Sequence, residues 1–107
     1  MTIRDDALRV IATDPAVKVT FAAASAGDRS MLWAALDRDN SVLTTSAGSP
    51  NEALWACFVR HEWMEDVPVA SELKAAMPGC VQRKFTELGR RSVPVILPLL
   101  YAETAQK

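Results

Sequence analysis

The segment Ser49-Pro50-Asn51-Glu52 constrains this chain more than any other four residues. Its serine can accept a hydrogen bond from the backbone N–H three residues on, and Glu52 can reach back to the amide of Ser49. Pro50 falls at the first helical position, where its missing N–H costs nothing. A helix is therefore expected from here to about His61, with Leu54, Trp55, Phe58 and Val59 on one face. The opposite face carries Ala53, Ala56, Cys57 and Arg60, with Glu52 beside them, and Asn51 falls toward the core side.

Around this helix the chain divides by its caps and breakers. Thr2 with Asp5 reads as a helix start, followed by the apolar stripe Ile3, Ala7, Leu8, Val10 and Ile11. Asp14-Pro15 ends that helix or begins the next, because the residue before proline avoids the α region. In 16–26 Val17, Val19 and Phe21 alternate with polar residues as a strand would, but Ala22-Ala23-Ala24 favours a helix, the preferred reading. Gly27 reads as a helix end and Asp28 or Ser30 as the next cap, with Met31, Leu32, Ala35 and Leu36 facing inward and Trp33 at the edge. The polar run 37–40 ends this helix, and 41–48 reads as a loop or a short extended piece.

Beyond His61, 81–85 alternates as a strand, and the polar segment before it allows a helical turn at Ser71 to Met77, ended by Pro78-Gly79. Thr86 caps a final helix with Glu87 in its first turn. Pro94 and Pro98 predict a kink in that helix, or a break near Ser92 with a restart at Pro94. With no repeat and no linker, residues 1–107 read as a single domain, mainly α with a small β-hairpin.

Within 28–91 a helix is followed by the well-capped helix ending in Val59-Arg60-His61-Glu62-Trp63-Met64. A hairpin then leads through Phe85-Thr86-Glu87-Leu88-Gly89-Arg90 into the last helix. This order resembles the winged helix-turn-helix domains of bacterial transcriptional regulators. The resemblance implies a winged-helix-like centre with an extra N-terminal helix and a kinked C-terminal one. It makes Pro50–His61 the recognition helix and DNA the partner. Ser49 and Arg60 would touch groove and backbone, and Arg83, Lys84, Arg90 and Arg91 would flank the wing and meet phosphate oxygens.

Charge divides in the same direction. Twelve Lys and Arg against thirteen Asp and Glu leave a net −1, so the whole chain exerts no electrostatic pull toward nucleic acid or anionic membrane. Residues 81–107 nevertheless hold five basic and two acidic side chains, a surplus of three. On the recognition helix itself only Arg60 can reach a base edge well. Its bare flank, Ala53, Ala56 and Cys57, suits close approach by another protein, so a protein-interaction module (an adaptor or small inhibitor of a larger assembly) is the alternative reading. The apolar run 93–101 suggests a homodimer contact, or else packing onto Ile3, Leu8 and Ile11.

Several classes are disfavoured. His61 is the single histidine, and Cys57, His61 and Glu65, spaced four apart, lack the second histidine of an HExxH zinc motif. A Cys57–His61 nucleophile pair lacks an evident oxyanion site, and there is no GxxxxGK phosphate loop. No enzyme, metal or cofactor is therefore expected. Trp33, Trp55 and Trp63 fit core helices better than a base-stacking platform. The two cysteines lack CxxC spacing, the first residues are acidic where a signal peptide is basic, and the longest apolar stretch, 93–102, is about half a membrane span and contains both prolines. A cytoplasmic protein with no membrane contact is expected.

Overall fold

A computed structural model describes residues 2–38 and 41–105. Three helices open the chain: α1 (Ile3–Thr13), α2 (Pro15–Ala23) and α3 (Ala26–Leu36). Strand β1 (Val42–Ser46), helix α4 (Pro50–Arg60), strand β2 (Met64–Val67), short helix α5 (Ser71–Ala76), strand β3 (Cys80–Phe85) and helix α6 (Glu87–Ala105) follow. The three strands form one antiparallel sheet in the order β1-β3-β2. The chain is thus mainly helical with a small sheet, in a winged-helix-like layout. Within the stretch 41–48, Val42–Ser46 forms strand β1, an extra strand beside the expected hairpin, and this strand, not a helix, directly precedes α4. Among the described residues, no helix is long and apolar enough to cross a membrane.

Local signals set most boundaries. Thr2 and Asp5 form a reciprocal capping box, and Pro15 opens α2 at its first position. Ser25, rather than Asp28 or Ser30, caps α3 by accepting from the Asp28 amide, so Gly27 lies in the first turn instead of ending a helix. Arg29 then reaches back to the last turn of α2. Its guanidinium donates to the carbonyls of Phe21 and Ala22 and lies 4.5 Å from the Phe21 ring centroid. That placement neutralises the negative end of the α2 dipole and closes the α2–α3 turn.

The far end of α4 is closed by its own backbone. The Glu62 amide donates to Val59 O and the Trp63 amide to Phe58 O, the two bonds of a Schellman motif. This puts Glu62 at φ 62°, a left-handed conformation that costs a side-chain-bearing residue roughly 1–2 kcal/mol. The first turn of α6 then docks on the same corner. Thr86 Oγ1 donates to Glu62 O, Thr86 N donates to Trp63 O, and Gly89 N donates to Thr86 Oγ1. A Cβ on Gly89 would sit 1.9 Å from Trp63 O, so glycine is required there by close approach of two backbones.

The core is built around α4 and α6. Leu54, Trp55 and Phe58 of α4 are fully buried, as the register predicts, and Val59 is partly so. Leu43, Met64 and Phe85 close the core from the sheet. On α6, Val93, Ile96, Leu97 and Leu100 are wholly enclosed, and the helix packs chiefly on α1 and also on α2, α3 and β3. The apolar run 93–101, expected to form a homodimer contact, therefore meets the chain's own N-terminal helices. There Ala7, Val10 and Ile11 are buried, while Ile3 and Leu8 are exposed.

Helix α6 also runs without a break past Ser92 and through both prolines. Burying four large aliphatic side chains contributes about 1.5–3 kcal/mol each, enough to offset about 3 kcal/mol per proline. Met31, placed on the inward stripe of α3 by the sequence pattern, is exposed, because α3 turns only Leu32 and Ala35 fully inward.

Candidate nucleic-acid and partner interface

The residues expected at DNA are not gathered on one open surface. Ser49 is the N-cap of α4: its Oγ accepts from the Glu52 amide at 3.1 Å and lies 3.4 Å from Thr45 Oγ1. The reciprocal half of the expected box is shifted by one residue, since Glu52 Oε1 accepts from the Gly48 amide while the Ser49 amide donates to Ser46 O. Ser49 is thus committed to the helix start.

Arg60 is committed as well. Its Nη2 lies 2.7 Å from Asp14 Oδ2, and the same oxygen is 2.8 Å from His61 Nε2. The hydrogen bond from Arg60 holds the Asp14 carboxyl below its ordinary pKa; burial opposes this and His61 adds to it. Asp14 is 46 and 47 residues away in sequence from its two partners. Only the packing of α2 against α4 brings the α1–α2 corner to the end of α4.

The wing basics divide between two faces of the sheet. Arg83 stands opposite Leu43 and Asp66, on the face that also carries Phe85 and Met64 and covers α4. It is only 13% exposed, with Nε at 2.8 Å from Asp66 Oδ1 and Nη1 at 3.0 Å from Glu52 Oε2. Burial works against its charge, but the hydrogen bonds to Asp66 and Glu52 outweigh that and raise its pKa. Lys84 points to the opposite face, where its Nζ is 3.3 Å from Glu65 Oε1. Arg90 is half-buried, bordering a shallow recess with Ala35, Arg38, Ser41 and Phe85. Arg91 is exposed. Arg83, Lys84, Arg90 and Arg91 therefore do not form one array facing a common backbone.

The bare flank of α4 is also altered. Ala53 is exposed and Ala56 half-buried, but Cys57, expected on the accessible face, is 2% exposed. Helix α2 covers it, with Thr20 Oγ1 3.8 Å from its Sγ. The spacing that defines one face of α4 carries no information about α2 folding back onto the other.

A cavity of about 160 Å³ lies where α1 meets α6 and the end of α4, bordered by Val10, Arg9, His61, Trp63, Leu88 and Ser92 among others. The His61 ring lies 5.2 Å from that of Trp63. Ser92 shares the cavity with His61 but makes no hydrogen bond to it, so the Asp14–His61 pair lacks the nucleophile contact that acyl-transfer chemistry needs. Among the described residues no three His, Cys, Asp or Glu side chains gather as a metal site, and Glu65 of the Cys57/His61/Glu65 spacing points to Lys84 instead.

Comparison with known protein families, with curated proteins and with solved structures yields no match.

Proposed function

We propose that this chain is a small non-enzymatic module that acts by binding a protein partner. The observation that carries the reading is the state of its cations: Arg60, Arg83 and Lys84 each lie against a carboxylate of the chain itself. For Arg83 to meet a phosphate it would have to leave two charge-assisted hydrogen bonds, one to the largely covered Glu52 and one to the exposed Asp66, which costs more than an exposed, unpaired arginine would lose. Helix α4, enclosed by α2 and the sheet, offers little more than Ala53 and Arg60 to a groove. An uncharged sheet edge beside an open groove, described below, suits a polypeptide better. A cytoplasmic setting fits the same reading, since Cys57 and Cys80 are both free thiols.

Duplex DNA is the second reading, favoured by the exposed Arg91 and by the surplus of three positive charges in 81–107. Fluorescence anisotropy with a labelled duplex, titrated at low and at physiological salt, separates the two. The protein-partner reading expects no saturable binding at micromolar protein. Micromolar binding that weakens steeply with salt would establish phosphate contacts and overturn it.

A further inference from the structure

Strands β1 and β2 are the two edges of the sheet, and only one is guarded. β2 carries Glu65 and Asp66 and is followed by Pro68, and charge and proline are what keep an edge from recruiting another strand. β1, Val-Leu-Thr-Thr-Ser, has neither. The Ala47 amide donates to Gly79 O, which makes Ser46 and Cys80 a non-hydrogen-bonded pair. The alternation of an antiparallel ladder then turns the N–H and C=O of Leu43 and Thr45 toward β3, and those of Val42 and Thr44 toward the open side. No backbone group among the described residues pairs with that open side at Val42 or Thr44.

A groove of about 180 Å³ lies at the start of this edge, walled by Met31, Ala34 and Ala35 of α3, by Arg38 just beyond its end, and by Ser41, Val42 and Leu43. Met31 and Val42 are exposed at 37% and 45%. Among the described residues the lining contains one charged side chain, Arg38, and no carboxylate. The groove therefore offers backbone pairing along one wall, apolar contact along the other, and a single cation at the end near Ser41.

We propose that this edge takes an extended segment of the partner protein as a fourth strand, antiparallel to β1, with an acidic residue or terminal carboxylate at its C-terminal end. The inference rests on the protein-partner reading and names its chemistry. Antiparallel alignment, the only kind in this sheet, sets the incoming C-terminal end beside Ser41 and Arg38. Strand addition supplies affinity through main-chain bonds, and alternate side chains supply selectivity. An aliphatic side chain suits the pocket between Met31, Ala34 and Leu43. A second copy of this chain fits less well: two β1 strands paired antiparallel would bring Arg38 toward the Ser46-Ala47-Gly48 turn of the other copy, where the carboxylate of Glu52 is already engaged by the Gly48 amide and by Arg83.

The test is amide NMR of the full chain titrated with two probes, acetyl-Ser-Thr-Val-Thr-Val-Asp with a free carboxylate and the same peptide ending in Lys-amide. Saturable shifts at Val42, Thr44 and Arg38 are expected, with the acidic probe about tenfold tighter, the value of one charge-assisted hydrogen bond. Val42→Pro, at the first residue of an edge strand where proline is tolerated, should abolish the shifts at Thr44. Arg38→Glu should reverse the order of the two probes. Shifts centred away from β1, or a probe order indifferent to Arg38→Glu, would overturn the proposal. A concentration-dependent dimer with protected Val42 and Thr44 amides would assign the edge to a second copy instead. If β1 stays silent toward both probes and the duplex also fails to bind, the strand inference falls and the protein-partner reading stands; if β1 stays silent and the duplex binds, both fall.

Discussion

Leu32-Trp33-Ala34 and Leu54-Trp55-Ala56 are the same three residues, each set in an apolar run on a helix of 11 residues. Their outcomes differ: Trp33 is 37% exposed and Trp55 is completely enclosed. Helix α4 has β1 and β2 on one side and α2 on the other, so Leu54, Trp55, Cys57 and Phe58 all find neighbours. Helix α3 touches α6 and β1 through Leu32 and Ala35 and leaves Met31, Trp33 and Ala34 toward solvent. A helical stripe shows which residues face inward first, but the number of elements that close around a helix is a tertiary property. The functional consequence follows. The helix that resembles a reading head is enclosed, while the less conspicuous α3 borders an open groove.

The sharpest test of that contrast is a matched pair of truncations at its two indoles. Trp55→Ala should destabilise by about 3–5 kcal/mol in urea unfolding, as expected when a large aromatic is removed from a closed core. Next in size is Gly89→Ala, which forces a methyl group against Trp63 O at the corner where α4 hands over to β2; a loss of about 2–3 kcal/mol is expected from overpacking, read as a lower thermal midpoint. Trp33→Ala should cost about 1–2 kcal/mol, because the indole is 37% exposed and keeps part of its cover; a loss approaching that of Trp55→Ala would erase the comparison.

The Asp14 ion pair, which ties the α1–α2 corner to α4, should count for about 1 kcal/mol or less, because Arg60 remains half exposed. Asp14 is held below its ordinary pKa in the folded chain, so its contribution is present in full above the unfolded value of about 3.9 and fades as pH falls through the folded value. The stability difference between the native chain and Asp14→Asn should be flat near neutrality and shrink in acid. A difference that grows in acid would contradict the assigned pairing.

Much of the fold was legible where a local device decides it. Thr2 with Asp5, Ser49 with Pro50, and Thr86 each announce a helix start through one side-chain oxygen, and each does so in the structure. The inward positions of Leu54, Trp55 and Phe58 follow from spacing alone. What the sequence hid depends on distant neighbours. Gly27 has the composition of a stop, yet Ser25 two residues earlier provides the cap. Arg83 reads as a free wing cation until β3 carries it over Glu52, 31 residues away, and beside Asp66. Cys57 reads as accessible until α2 lies across it. Gly89 was visible as part of a short motif, but its reason, the carbonyl of Trp63, lies on another element. The charged residues around α4 and β3 were thus legible as a list but not their pairing, and the β1 edge was not legible at all, because which strand lies outermost is a tertiary outcome.

The enclosure of α4 can be measured at one sulfur. In Cys80→Ser the only thiol left is Cys57, beneath α2. An aromatic disulfide reagent should leave it unlabelled in native buffer and react at once when the chain is unfolded, since a buried thiol is reached only through opening of the structure. Labelling in native buffer at the rate of a free thiol would mean that this flank of α4 is open, and would contradict the account.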